Sequence, residues 1–163
     1  MKHPNGIIVK LNGKSISALA DVDWEADHEN SRSWYPTKSS MKKDITNRFK
    51  TGHEIFFGCK LNGKIVGYIT LKPFFPGYKH CEVYWLNVKK STQGHGIGTC
   101  LLKFIENYAK KKGFRKIFTY TGRSMKRTRK FYEKNGYKLV NEFPNYYSSG
   151  KDMTAVLYGK KLR

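Results

Sequence analysis

Hydrophobic and polar positions divide the chain into segments of distinct period. Residues 6–11 (GIIVKL) form a short apolar run closed by Asn12-Gly13, which predicts a first strand. Residues 15–51 show no strand pattern, and short helices are expected near 15–20 and 38–50. Two apolar runs follow, 54–61 (EIFFGCKL) and 64–72 (KIVGYITLK), joined by Asn62-Gly63. An Asn-Gly pair between such runs predicts a tight hairpin, because both turn positions need positive φ. Pro73, Pro76 and Gly77 break the chain before a fourth strand at 81–88 (CEVYWLNV), rich in residues that favour strands. Beyond it, Leu101, Leu102, Ile105, Tyr108 and Ala109 recur with helical period, and Lys103, Glu106, Lys110 and Lys111 occupy the other face. Gly113 stands where it can close that helix. A fifth strand is expected at 115–121. A second helix is expected to be capped by Ser124 and to run to about Lys134, before Asn135-Gly136. Two last strands are expected at 137–143 and 151–160. The resulting order, β-α-(α)-β-β-β-α-β-α-β-β, predicts an α/β (α+β) fold with a mixed sheet and helices on both faces.

Composition narrows this. The chain has 163 residues, a size for one domain, and no repeat or low-complexity linker divides 1–163. The 10 Phe, 11 Tyr and 3 Trp are enough for a core. No apolar run approaches the roughly 18 residues of a membrane span, and the first residues show no secretory stretch, so a cytoplasmic protein is expected. Cys59, Cys81 and Cys100 are odd in number and widely spaced, which suits reduced thiols better than a disulfide framework or a zinc site. No metal-ligating constellation is present.

Charge is the unusual property. The chain carries 32 Lys+Arg against 12 Asp+Glu, a net +20. Such a field attracts polyanions: nucleic acid, an anionic membrane or a phosphate-rich cofactor. Against it stands one acidic cluster: Asp21, Asp23, Glu25, Asp27 and Glu29. These five could attract a cationic amine or form a solvated acidic loop.

The densest chemical signal is the segment 88–99, which follows a strand and opens a helix. Gly94, Gly96 and Gly98 allow close backbone approach, and free amides beside a helix N-terminus form a cradle for a pyrophosphate. Thr99 stands where a dinucleotide fingerprint needs its third glycine, and the Gly-Lys-Ser/Thr ending of a P-loop is absent.

The run Gln93-x-x-Gly96-x-Gly98 resembles the acyl-CoA motif of the GNAT superfamily, and Phe131-Tyr132-Glu133-Lys134-Asn135-Gly136-Tyr137 is similar to that family's later signature. The resemblance implies an acetyl-CoA-dependent N-acetyltransferase on a mostly antiparallel, six- to seven-stranded sheet. It implies that the backbone of Leu86, Asn87 and Val88 pairs with the pantetheine arm. It further implies that Gln93, Gly94, His95, Gly96, Ile97, Gly98 and Thr99 hold the pyrophosphate. Tyr132 matches the tyrosine that protonates the departing thiolate; its alternative is a core aromatic. Glu82, 11 residues before Gln93, takes the spacing of a general base in the histone-acetylating branch, with a water-facing Glu as the alternative. A partly buried carboxylate there should have a raised pKa. The family often has Asn where Met125 stands, and the ribosomal branch carries Glu where Tyr120 stands. Lys126, Arg127 and Arg129, at the start of the second helix, are expected to meet the 3′-phosphate of CoA or to form a solvated basic face.

The inferred reaction is direct attack of a neutral amine on the thioester, with a strand amide facing the developing oxyanion. Trp34, Tyr35, Tyr146 and Tyr147 are the expected acceptor-binding residues. The acceptor itself is a small cationic amine or a peptide amine, and the protein is expected to be a monomer or homodimer. The rival reading is a basic nucleic-acid- or ribosome-associated binding protein on the same scaffold.

Overall fold

The computed structural model describes residues 6–26, 35–148 and 152–162. Its organising element is the hairpin of β2 (Ile55–Leu61) and β3 (Lys64–Lys72). Asn62 and Gly63 turn it with φ of +48° and +76°, as the Asn-Gly pair requires. β1 (Ile7–Lys10) adds antiparallel to β2, and β4 (His80–Val88) adds antiparallel to β3. β5 (Lys116–Gly122) runs parallel to β4, and β7 (Ala155–Lys161) lies antiparallel between β5 and β6 (Lys138–Phe143). The seven strands thus stand in the order β1-β2-β3-β4-β5-β7-β6, a mixed and mostly antiparallel sheet.

Among the described residues four helices cover it: α1 (Ile16–Glu25), α2 (Lys38–Thr51), α3 (Ile97–Lys111) and α4 (Lys126–Lys134). Strand side chains alternate between faces, and the burial follows that alternation. Phe57 and Ile69 join one cluster with Leu101, Leu102 and Ile105 of α3. Their neighbours Phe56 and Tyr68 join another with Leu19 and Val22 of α1 and Met41 and Ile45 of α2. Leu101, Leu102 and Ile105 are fully buried, each worth about 1.5–3 kcal/mol of transfer free energy. α3 ends as its sequence predicts: Gly113 has φ +84°, its N–H reaches Lys110 O, and the N–H of Phe114 reaches Ala109 O.

Two helix expectations need correction. The segment expected to be a short helix near 15–20 continues to Glu25, because Leu19, Ala20, Val22 and Asp23 all turn inward. Ser124 does not cap α4. The N-cap is Met125, no side chain caps that turn, and Ser124 sits in a tight turn in which its carbonyl accepts from the N–H of Lys126. No helix among the described residues is long and apolar enough to cross a membrane.

Candidate active site

The sheet opens along β4. β4 pairs with β5 only through His80, Cys81 and Glu82, and the strands part beyond that point. On the other side, the β3 pairing shifts register between Ile69 and Leu71, leaving Tyr84 and Trp85 opposite Thr70. The amide of Trp85 donates to Thr70 Oγ1 at 3.0 Å, so this bulge has its own hydrogen bond. The backbone of Leu86, Asn87 and Val88 therefore lies beside an open edge towards β5.

Glu82 is the last paired residue before the split. It is buried, at 9 % exposure. Burial pushes its carboxyl up to about 7, only partly opposed by the Lys72 ammonium across the β3–β4 pair. Its charge is felt by Tyr84, Tyr120 and Tyr146, whose phenols rise through burial and through this carboxylate among other causes. These rings form a wall. Tyr120 stacks on Tyr146 at 5.2 Å, Phe143 stands 5.9 Å from Tyr120, and Tyr147 meets Tyr146 edge-on at 5.2 Å. Burial pushes the Tyr147 phenol up to about 12. Thus Tyr146 and Tyr147 are brought together with Glu82. Tyr35 is not: it packs on the α1–α2 cluster, and its phenol is raised by burial and by Asp44. Trp34 lies outside the described residues.

Tyr132 is buried in the α3-side cluster against Tyr137 and Tyr158. Burial raises its phenol, and a hydrogen bond with Thr119 partly opposes the rise. Thr119 is the first β5 residue beyond the β4 pairing, so this hydroxyl lies at the point of separation.

At the far end of β4 the glycine segment makes an open turn. Gly94 and Gly96 have φ of +81° and +80°, and a Cβ on either would meet nothing within 4 Å. Glycine is required by backbone conformation there, and the turn faces free space. Gly96 is the N-cap of α3, with no side-chain cap and no acidic residue in the first turn. The first amides of α3, at Ile97, Gly98 and Thr99, are the donors an anion would meet. The Ile97 side chain is buried, so it contributes packing and an amide. His95 Nδ1 turns back onto the carbonyls of Gln93 and Thr92. Gln93 Nε2 donates to Val88 O and Ala26 O, at 3.0 and 3.2 Å. That side chain ties the loop to β4 and to the end of α1. Lys89 Nζ binds Glu25 Oε1 beside it at 3.0 Å. These features fit a CoA pyrophosphate: an uncapped helix start and a turn with room against its backbone.

Lys126 and Arg127 are exposed at the start of α4, with Met125 as its cap. Arg129 differs. Its guanidinium donates to Tyr158 Oη and Arg123 O, and Tyr158 donates on to Glu133. Arg129 is thus also engaged with its own helix and sheet. Burial pushes the Cys81 thiol up to about 12, which keeps it protonated near neutral pH.

The acidic cluster splits into three roles. Asp21 pairs with Lys38, Glu25 with Lys89, and Asp23 is buried. Asp27 and Glu29 lie outside the described residues. Asp23 accepts from Tyr68 Oη at 2.8 Å and from Asn87 Nδ2 at 2.5 Å, and burial still pushes it up to about 6. The side chain of Asn87 is thus engaged with α1. Beside this pair, Arg48 binds Glu54 through Nε and Nη2, at 2.9 and 2.5 Å, under the rings of Tyr84 and Trp85. Desolvation would lower the guanidinium pKa, but Glu54 holds it well above its ordinary value. Sequence reasoning missed Asp23, Arg48 and Glu54. The only local signal was an acid at an inward helical position, three residues from Ala20 and one from Val22.

A mixed sheet thus parts beside a glycine-opened helix. The acetyltransferase (GNAT) family matches residues 15–137, and the chain belongs to it. An uncharacterised N-acetyltransferase of Methanocaldococcus jannaschii is 33 % identical over 156 residues, 95 % of this chain and 91 % of that one. In fold alone, the chain is similar to an N-acetyltransferase from Staphylococcus aureus Mu50, with TM-score 0.78, 21 % identity and coverage of 98 and 99 %. It is likewise similar to the PaiA N-acetyltransferase of Thermoplasma acidophilum solved with coenzyme A, with TM-score 0.74, 22 % identity and coverage of 96 and 99 %. The protein is an acetyltransferase.

Proposed function

We propose that the chain, acting as one domain over 1–163, moves an acetyl group from acetyl-CoA to a primary amine held between Glu82 and the tyrosine wall. The observation that carries this is the position of Glu82: a buried carboxyl, pushed up to about 7, at the point where β4 and β5 part. A base with that pKa can take a proton from an incoming ammonium near neutral pH. Acetyl-CoA supplies the reactive thioester. Residues 93–99 bind its pyrophosphate, the open edge at Leu86, Asn87 and Val88 pairs with its pantetheine arm, and Lys126 and Arg127 meet its 3′-phosphate. Tyr132 holds the proton for the leaving sulfur. Tyr146 and Tyr147 line the acceptor, and Tyr120, in the same stack, joins them.

The test has two parts. Acetyl-CoA should raise the thermal midpoint in moderate salt where ATP does not, since a ligand that binds only the folded state stabilises it. Equal shifts with ATP that vanish in salt would remove the cofactor site. Glu82→Gln should then lower kcat by about 10²–10⁴-fold with acetyl-CoA affinity unchanged. Activity of the parent should rise with pH through about 7 as Glu82 loses its proton. Full activity in the Glu82→Gln variant would reassign the base.

A further inference from the structure

Seven of the 32 Lys+Arg lie at the pole opposite the cradle at the α3 N-terminus. β4 runs from His80 to Val88 and α3 returns from Ile97 to Lys111. At about 3.3 Å per strand residue and 1.5 Å per helix residue, the two ends of this unit stand some 20–25 Å apart. The glycine turn occupies one end. At the other, the chain leaves α3 through Lys110, Lys111 and Lys112, all exposed. Arg115 and Lys116 follow at once, also exposed, and the N–H of Arg115 donates to Lys79 O at 2.7 Å. Lys116 pairs across the sheet with Lys161 on one side and His80 on the other. Seven cationic side chains thus meet around one sheet end. The carboxylates nearest in sequence are engaged elsewhere: Glu82 is buried, and Glu106 binds Lys160 at 2.8 Å.

Three of these cations have a local reason. Lys110, Lys111 and Lys112 stand at a helix C-terminus, where the dipole favours positive charge. Of the other four, Lys79 and Arg115 have the Tyr78 ring as a local partner. Lys116 facing Lys161 is a like-charge cross-strand pair, which weakens a sheet. Lys79 holds a left-handed backbone, φ +56°, in the turn between β3 and β4. That turn also presents an aromatic ring. Tyr78 is 71 % exposed, with Lys79 Nζ at 5.3 Å and the Arg115 guanidinium at 5.6 Å from its ring centre. A ring held open to solvent and flanked by cations, on a strip of further cations, is the pairing that single-stranded nucleic acid recognises. Phosphates meet the charges, and a base stacks on the ring.

We propose that the surface formed by Tyr78, Lys79, Arg115, Lys116 and Lys161, extended by the end of α3, binds single-stranded nucleic acid and tethers the enzyme near it. This proposal does not rest on the acetyl-transfer assignment and would stand if that assignment fell.

The experiment is fluorescence anisotropy with a labelled twelve-nucleotide single strand, as RNA and as DNA, at 50 and 200 mM salt. The parent should bind either or both, with affinity falling steeply with salt, and saturating acetyl-CoA should not displace the strand. Lys79→Glu/Arg115→Glu/Lys116→Glu should bind at least tenfold more weakly at 50 mM salt. Its log-log salt slope should be smaller by about 2, at roughly 0.7 per phosphate contact. Tyr78→Ala, which removes only an exposed ring, should lose about tenfold at both salts with the slope unchanged. Both variants should keep the parent circular dichroism and acetyl-CoA thermal shift. The idea is overturned if the parent binds neither strand at 50 mM salt, or if acetyl-CoA competes. It is equally overturned if Tyr78→Ala binds as the parent does, or if duplex DNA or phosphatidylserine vesicles bind as tightly as the single strand. Those last results would mean a purely electrostatic surface or a different partner.

Discussion

Against one face of the sheet α3 lays Leu101, Leu102, Ile105 and Ala109, all fully buried hydrocarbon. Against the other, α1 and α2 bring Leu19, Val22, Met41 and Ile45 together with Asp23 and Arg48, which are nearly as deeply buried. The first face is held by transfer free energy and close packing, which tolerate exchange of one apolar residue for another of similar volume. The second contains a polar pair, Arg48 with Glu54, and a polar trio, Asp23 with Tyr68 and Asn87, each reaching across elements. A buried ion pair adds little net stability but makes its partners mutually dependent. The polar face lies behind the β4 bulge, under Tyr84 and Trp85, so its geometry sets where the open edge of β4 stands. Apolar packing supplies stability on one side; on the other, paired polar groups fix position.

The sharpest test separates loss of a partner from loss of volume. Arg48→Met keeps bulk but leaves the Glu54 carboxylate buried and unpaired, with a side chain only 3 % exposed. It should lower unfolding free energy by about 3–5 kcal/mol in urea titrations. Adding Glu54→Leu should recover most of that loss. If the double variant is as unstable as the single, the pair is not what the second face depends on. On the apolar face Leu101→Ala should cost about 3 kcal/mol through the cavity it leaves, and no second substitution in a polar group should rescue it.

The faces should also part in their response to pH. A carboxyl whose pKa is raised by folding keeps a proton that the unfolded chain has released, so unfolding free energy falls as pH rises between the two values. For Asp23 that window runs from 3.8 to about 6, and for Glu82 from 4.5 to about 7, burial being the main cause of both. The protein should therefore be more stable at pH 5 than at pH 7.5, with a slope of at most about 1.4 kcal/mol per pH unit from each group. Asp23→Asn should flatten the lower part of the curve and leave the part near pH 7. An unchanged curve in that variant would mean that Asp23 ionises normally.

The same division explains what the chain reveals before folding. α3 was readable because its apolar period needs no partner to be seen, and the Asn62-Gly63 turn because its backbone demand is local. The glycine segment was legible for the same reason: Gly94 and Gly96 have no alternative at positive φ. Asp23 read as one acid in a loose cluster, because its partners Tyr68 and Asn87 lie 45 and 64 residues away. Arg48 carried no signal of its own, and nothing near it in sequence announces Thr70, 22 residues on. The burial and raised pKa of Glu82 were legible, but its tyrosine wall depends on β4, β5 and the turn before β7 meeting at the split.

Helix capping gives the smallest contrast. On the polar face, Thr37 Oγ1 accepts from the Ser40 N–H at 3.1 Å, while Ser40 Oγ accepts from the Thr37 N–H at 3.3 Å. This closed capping box starts α2, and Thr37→Ala should cost about 1 kcal/mol. On the apolar face, Ser124 looks like a cap in the sequence but makes no capping bond to α4. Ser124→Ala should stay within about 0.5 kcal/mol of the parent. Thermal unfolding of the two variants side by side checks both. If Ser124→Ala fell as far as Thr37→Ala, then α4 would be capped in solution by the residue its sequence suggests. The start of α4, where Lys126 and Arg127 stand, would then have one fewer free amide to offer an anion.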